Sequence, residues 1–139
     1  WIMGYPGETL HDLKTSVAFI LWQQEFWSSF YPAGTTEHAN ALQAVNRKMF
    51  TATAYPGTEM WKVVRPDLKK YFNITFDEMG DPVCDENFHQ YVLELDDATK
   101  VLNSLTGEDV NYGAMHLDTF LEAREHVNND EIEKILEMQ

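Results

Sequence analysis

The chain has 139 residues, enough for one domain or for part of a larger one. Hydrophobic residues make up 44% of it, which suffices for a core and exceeds what a disordered chain contains. With 10 Lys and Arg against 23 Asp and Glu, the net charge is −13, which argues against non-specific binding to nucleic acid or to anionic membranes. The single cysteine, Cys84, excludes an internal disulfide and any cluster held by several thiolates of this chain alone.

Signals for targeting are absent from the sequence as it stands. The longest apolar run, residues 17–22, is far shorter than the roughly 18 residues of a membrane span. No basic region precedes an apolar run at the N-terminus, so we expect a cytoplasmic protein. The apolar start Trp1-Ile2-Met3 is unusual for a true terminus and predicts a processed chain or a fragment of a longer protein.

The first 25 residues predict a strand, a tight turn and a helix. Residues 1–3 are apolar and end at the turn sequence Gly-Tyr-Pro-Gly of residues 4–7. Thr9 and Asp12 have the spacing of a capping box, and apolar residues then recur at every third or fourth position as far as Leu21. This is half of a βαβ unit.

A second strand and turn of the same kind follow later. Residues 49–54 have strand composition and end at the Tyr-Pro-Gly turn of residues 55–57, with a short helix over residues 60–64 that stops near Pro66. The repetition predicts two strands of a parallel sheet, whose C-terminal ends carry the binding loops. Glycine in such a turn permits positive φ and the close approach of a ligand, although a simple structural turn is the alternative.

Between the two turns lies an aromatic segment, residues 22–31, followed by a loop over residues 32–36 and a short helix over residues 37–45. The aromatic side chains either pack in the core or form the wall of a pocket for a flat ligand. We interpret this region, near residues 27–45, as an insertion.

The rest of the chain is predicted to be mainly helical. A short strand over residues 73–77 and a turn over residues 78–82 precede an amphipathic helix that Asp85 caps and that extends to Leu102. Asp118 is predicted to cap a helix that ends at Glu125, and Asn129 or Asp130 to cap the last one.

Few residues outside the turns indicate chemistry. Glu8 and Glu59 follow the two turns, where a carboxylate either binds a hydroxyl or amino group of a ligand or complements a helix dipole. No two histidines have i, i+4 spacing, so no metal site is predicted. Cys84 has no neighbouring His or Lys and is expected to be inert. A small enzyme that uses Glu8, Glu59 and His11 is the least supported hypothesis.

Two segments resemble motifs of radical S-adenosylmethionine enzymes. Residues 2–9, Ile-Met-Gly-Tyr-Pro-Gly-Glu-Thr, look like the GxPGET segment, and residues 50–59 look like the ATPYPGTEL segment that comes one strand later. The pairing is typical of the branch with an upstream cobalamin-binding domain, which includes the anaerobic magnesium-protoporphyrin ester cyclases. The spacing between the motifs is longer than usual for the family, and the surplus falls in the aromatic region.

The resemblance implies an α/β fold: the C-terminal part of a partial (β/α) barrel over residues 1–66, then a mainly helical extension over residues 67–139. It implies a parent enzyme with S-adenosylmethionine, a [4Fe–4S] cluster and, in the cobalamin branch, cobalamin. Ile2, Gly4 and Glu8 would border the nucleoside, whereas Tyr55, Pro56, Gly57 and Thr58 would face a small-molecule substrate. No catalytic residue and no metal ligand is assigned.

The function predicted by resemblance is therefore that of a fragment of a radical S-adenosylmethionine enzyme, an iron–sulfur oxidoreductase or transferase. The fragment would be inactive without the missing N-terminal part of the same protein, because one cysteine cannot supply three thiolates. The alternative is a stand-alone acidic α/β protein that binds or interacts without catalysis. Neither nucleic acid nor a membrane is expected as a partner.

Overall fold

The computed structural model of the protein describes residues 1–95 and 110–139. It is mostly helical with a small parallel sheet, which is a mixed α/β composition. The elements are β1 (Ile2–Met3), α1 (Leu10–Ser28), α2 (Thr36–Ala44), β2 (Phe50–Thr51), α3 (Glu59–Val63), α4 (Arg65–Phe72), α5 (Glu86–Glu94), α6 (Leu117–Asn128) and a C-terminal 3₁₀ helix (Ile132–Glu137).

The chain divides into two compact units. Unit 1 contains residues 1, 8–49 and 115–139, and unit 2 contains residues 2–7 and 50–114. Each unit has buried apolar side chains of its own. The predicted boundary at residue 66 stays a prediction.

Unit 1 is built around α1. Leu13, Val17 and Ile20 are fully buried at spacings of four and three, which is one face of a helix. α1 packs against α2 and against the 3₁₀ helix, and α6 also packs against the 3₁₀ helix. Arg47 contributes a polar link, because its guanidinium lies 2.8 Å from the Asp130 carboxylate and 2.6 Å from that of Glu133.

Unit 2 holds the sheet and a second core. The two strands are parallel, with Ile2 opposite Phe50 and Met3 opposite Thr51, and the ladder continues where the Ala52 amide donates to the Met3 carbonyl at 2.8 Å. Trp61 is buried beside Tyr91, with ring centroids 5.5 Å apart. One cluster of buried side chains in this unit consists of Ala54, Trp61, Val64, Leu68, Phe72, Ile74, Tyr91, Leu95, Val110 and Tyr112.

Several predictions of local structure are confirmed. The strand, turn and helix at the start are present, and Thr9 and Asp12 form the predicted capping box at the start of α1. The second strand pairs in parallel with the first and leads to α3. The helix after the loop is α2, and the Asp85 side chain accepts a hydrogen bond from the Phe88 amide as the cap of α5.

Other local predictions are corrected. The short helix α3 ends at Val63, near Pro66 as predicted, but a second helix, α4, follows that was not predicted. Pro66 lies in the first turn of α4, where a missing N–H costs no hydrogen bond. In the predicted strand over residues 73–77, Asn73 is the left-handed C-cap of α4 and Phe76 forms an isolated bridge with Pro82. α6 begins at Leu117 instead of after Asp118 and runs to Asn128, and Glu131 precedes the final helix.

The predicted continuation of α5 to Leu102 lies outside the described residues. Within the described part of the chain, no helix combines the length and the apolar character that crossing a bilayer requires.

Candidate functional site

The two Tyr-Pro-Gly turns follow the same ends of paired strands in unit 2. Because β1 and β2 are parallel, the chain leaves both strands in one direction, into residues 4–7 and residues 55–58 respectively. This is the edge of a parallel sheet at which ligands bind in α/β proteins. The sequence-based prediction that the two turns share this edge is confirmed by the strand pairing.

The second turn contains the four residues assigned to the substrate. Thr58 closes the turn with two hydrogen bonds. Its amide and its hydroxyl both donate to the Tyr55 carbonyl, at 3.2 and 2.7 Å. The Thr58 oxygen also accepts from the Trp61 amide at 3.2 Å, so Thr58 is the N-cap of α3. Residues 55–58, including Pro56 and Gly57, are all exposed. Hydrogen bonds of Thr58 thus stabilise the turn, and its side chains are exposed to solvent.

The three residues that the resemblance predicts to border the nucleoside lie in and beside the first turn. Ile2 is exposed in β1, whereas Gly4 is buried and has a φ of +78°. Glu8 is half-buried and lies between Gly7 and the N-cap Thr9, outside α1. Glu8 belongs to unit 1, whereas Ile2 and Gly4 belong to unit 2.

The acidic residues after the two turns are not equivalent. Glu8 precedes an N-cap, but Glu59 is the first residue of α3 and forms an ion pair with Lys62 at 2.8 Å. The hydrogen bond from Lys62 holds the pKa of the Glu59 carboxyl below its usual value. Glu59 therefore acts within its own helix, in agreement with the helix-dipole interpretation.

Two glycines give the turns their shape and leave their backbones uncovered. Gly7 has a φ of +83° and Gly57 a φ of +84°, which other residues adopt at a cost. A side chain at either glycine would find no atom within 4 Å. A ligand could thus approach the backbone at both positions without a steric barrier.

A residue that the sequence did not indicate fixes the end of the second strand. The buried Tyr91 hydroxyl donates to the carbonyl of Ala54 at 2.5 Å, and Ala54 immediately precedes the turn. Burial raises the pKa of the Tyr91 phenol far above its usual value, so the hydroxyl is a donor at all physiological pH values. The contact joins residues 37 positions apart, and the amphipathic pattern of α5 marks Tyr91 only as a core residue.

Metal-binding groups are scarce. Among the described residues, no three His, Cys, Asp or Glu side chains come together in a way that could hold a metal ion. Cys84 is exposed, in the segment between the Phe76–Pro82 bridge and α5. The donor set therefore does not fit an iron–sulfur cluster, which needs several thiolates at one place.

The predicted aromatic core does not form. The ring of Trp1 and the rings on α1 and just after it make a continuous series of contacts, and the side chains are between 40% and 62% exposed. Neighbouring centroids lie 5.2–6.1 Å apart. We call this surface of unit 1 the aromatic ridge, which consists of Trp1, Phe19, Trp22, Phe26, Trp27 and Phe30.

The other predicted interpretation of the aromatic segment, a pocket wall, agrees with what lies at the end of the ridge. Trp27 and Tyr31 line a groove of about 340 Å³ together with residues of α2. The residues that line the groove belong to unit 1, whereas both turns belong to unit 2.

Comparison of the chain with protein-family models, curated proteins and solved structures found no match.

Proposed function

We propose that this chain supplies part of the S-adenosylmethionine and substrate pocket of a radical S-adenosylmethionine enzyme. One observation carries the proposal: two turns of matching sequence, each with a positive-φ glycine, follow paired parallel strands at the same edge of a sheet. In this proposal the sheet continues in the parent protein as a partial (β/α) barrel, followed by the mainly helical C-terminal extension.

The assigned residues would act by binding and positioning. Ile2, Gly4 and Glu8 would border the nucleoside of S-adenosylmethionine, and residues 55–58 would face a small-molecule substrate. The uncovered backbone at Gly57 supports the second assignment, since a ligand can reach its N–H and C=O groups. No proton transfer or bond cleavage is assigned to a residue of this chain.

The [4Fe–4S] cluster would be held elsewhere. One exposed cysteine does not fit a site that needs three thiolates, so the chain alone is proposed to be inactive. When bound, the cluster supplies the electron that cleaves S-adenosylmethionine, and that chemistry belongs to the cofactor. Cobalamin, if the parent is of that branch, would bind to an upstream domain.

The coding sequence upstream of Trp1 provides the first test. An open reading frame that continues into a Cys-x-x-x-Cys-x-x-Cys segment would support the proposal. A start codon directly upstream, preceded by an in-frame stop, would contradict it.

The site assignment is tested in the longer protein that such a reading frame encodes. Glu8→Gln and Ile2→Ser should each weaken the binding of S-adenosylmethionine in equilibrium dialysis. Leu93→Ser is the matched control for Ile2→Ser, because Leu93 is likewise an exposed apolar residue and is distant in sequence from both turns. Equal affinity of all three variants and the unchanged protein would remove Ile2 and Glu8 from the site.

The alternative, a stand-alone acidic binding protein, makes a different prediction about the isolated chain. Such a protein should unfold in a cooperative thermal transition. Part of a barrel would leave strand edges unpaired, so a chain without a cooperative transition that binds a hydrophobic dye would favour the enzyme fragment. Differential scanning calorimetry of the purified chain distinguishes the two.

A further inference from the structure

The groove at the end of the aromatic ridge has the shape and charge of a small binding site. Its volume of about 340 Å³ lies at the lower end of the range of ligand pockets. Two aromatic rings form one side and one face of α2 forms the other. The lining residues are Trp27, Tyr31, Glu37, Asn40, Ala41 and Ala44.

The groove exists because α2 has small residues where it passes the rings. Ala41 and Ala44 are three residues apart and lie on the same helical face as Glu37 and Asn40. Alanine side chains leave space that a larger residue would fill. The polar groups at positions 37 and 40 therefore border an apolar floor.

The two aromatic residues that line the groove, Trp27 and Tyr31, are exposed, but contacts with neighbouring residues hold them in place. Trp27 contacts the rings of Phe26 and Phe30, with centroids 6.0 and 6.1 Å apart. Tyr31 follows in a turn in which its amide donates to the Ser28 carbonyl at 3.1 Å. Both aromatic residues thus line the groove from positions that local contacts hold.

The carboxylate of Glu37 gives the groove its charge. Within the described part of the chain, this carboxylate forms no hydrogen bond and no ion pair. The N-terminus of α2 is capped, because the Thr35 hydroxyl oxygen accepts from the His38 amide at 3.2 Å. An anion would meet Glu37 and a molecule of net charge −13, so the charge favours a cation.

We propose that this groove binds a small organic cation of the alkylammonium class. The faces of tryptophan and tyrosine rings carry negative electrostatic potential and attract quaternary ammonium groups, and the carboxylate adds charge complementarity. The methyl groups of such a cation would also cover the apolar floor at Ala41 and Ala44. This function is independent of the proposed role of the two turns, since no residue of the groove belongs to them.

Choline and its neutral isostere 3,3-dimethylbutan-1-ol test the proposal in the purified chain. The two probes have nearly the same shape and differ in charge. We expect choline to shift the indole N–H signal of Trp27 in NMR spectra, with an affinity in the millimolar range that is typical of a small exposed site. The neutral isostere should bind at least about five-fold more weakly.

Matched variants assign the binding to the groove. Trp27→Leu and Glu37→Gln should each weaken choline binding by about five-fold or more, since each removes one of the two attractive elements. Trp22→Leu is the control, because Trp22 is as exposed as Trp27 and lies on the ridge but does not line the groove. Glu86→Gln controls for the general loss of one negative charge.

The proposal is overturned if choline shifts none of the indole signals, or if the neutral isostere binds equally well. Equal losses in Trp22→Leu and Trp27→Leu would also overturn it, because binding would then belong to the ridge in general. Should Trp27→Leu fail to fold by circular dichroism, Glu37→Gln decides: an unchanged affinity for choline in that variant rejects the site.

Discussion

At the scale of single residues, the hydroxyl of Tyr91 has the clearest consequence for the candidate site. It connects the core of unit 2 to the backbone just before the second turn. Tyr91→Phe removes the donor and keeps the ring, so the buried Ala54 carbonyl loses this partner. We expect a loss of about 1–3 kcal/mol in the free energy of unfolding, measured by urea denaturation.

Tyr71→Phe is the control for that experiment. Tyr71 lies on α4 in the same unit, is half-buried, and its hydroxyl accepts a hydrogen bond from Lys70 at the surface. If the two variants lose the same stability, the Tyr91 hydrogen bond has no special role. A greater loss in Tyr91→Phe, with broadened NMR signals at residues 55–58, would assign it to the turn.

A second prediction concerns Asp12, whose capping interaction at the start of α1 should be lost at low pH. The hydrogen bonds that the Thr9 hydroxyl and amide donate to Asp12 hold the pKa of this carboxyl below its usual value. Because the folded pKa is lowered, the capping interaction is fully present above the unfolded pKa and is lost as the pH falls through the folded pKa. NMR titration of the Asp12 carboxyl should show this lowered pKa, and Thr9→Ala should raise the pKa toward the usual value of an aspartate.

The capping box was also among the features that the sequence revealed, and the reason is physical. A cap depends on residues three positions apart, so both partners are visible in a short window. The Tyr91 contact spans 37 residues and has no local signal. Contacts of that length follow from the packing of whole elements, which the sequence pattern does not specify.

At the scale of elements, the turns depend on three open glycine positions of the same geometry. Gly7, Gly34 and Gly57 have φ values of +83° or +84°, and none has an atom near the place of a side chain. Substitution by valine should therefore cost only backbone strain, roughly 1–2 kcal/mol at each position. Asparagine, which tolerates this conformation better, should cost less.

Comparing the loss of stability at the three glycine positions shows whether each turn depends on backbone conformation alone. Urea unfolding of Gly7→Val, Gly34→Val and Gly57→Val should give similar losses, because the local geometry is the same. A markedly larger loss at one position would mean that its turn makes contacts beyond those described. The corresponding asparagine variants separate the strain of φ from the bulk of the side chain.

The helices and strands also show which sequence patterns predict structure and which leave it open. Repetition of the Tyr-Pro-Gly turn was enough to predict a parallel pair of strands, because each turn ends an apolar segment and begins a helix. The predicted end of a short helix near Pro66 is confirmed by α3, but proline also fits into the first turn of a helix, and α4, which begins there, was not predicted. For the aromatic segment the sequence leaves core packing and a pocket wall both open, because the burial of the rings depends on what covers them.

At the scale of the whole molecule, charge and exposed aromatic surface act against each other. The net charge of −13 keeps copies of the chain apart at neutral pH, whereas the aromatic ridge offers apolar area for association. Near the isoelectric point of about 4.6 the repulsion between molecules vanishes. The folded chain should therefore associate reversibly as the pH approaches that value.

Light scattering between pH 7 and pH 4.6 measures this association and identifies its surface. The double variant Trp22→Ser with Phe26→Ser removes the centre of the ridge and should remain monomeric closer to the isoelectric point. Val63→Ser with Leu93→Ser removes two exposed apolar side chains outside the ridge and should associate like the unchanged chain. Because all three proteins carry the same charge, equal association would trace the effect to charge alone, and a selective effect of the first variant would trace it to contiguous aromatic surface.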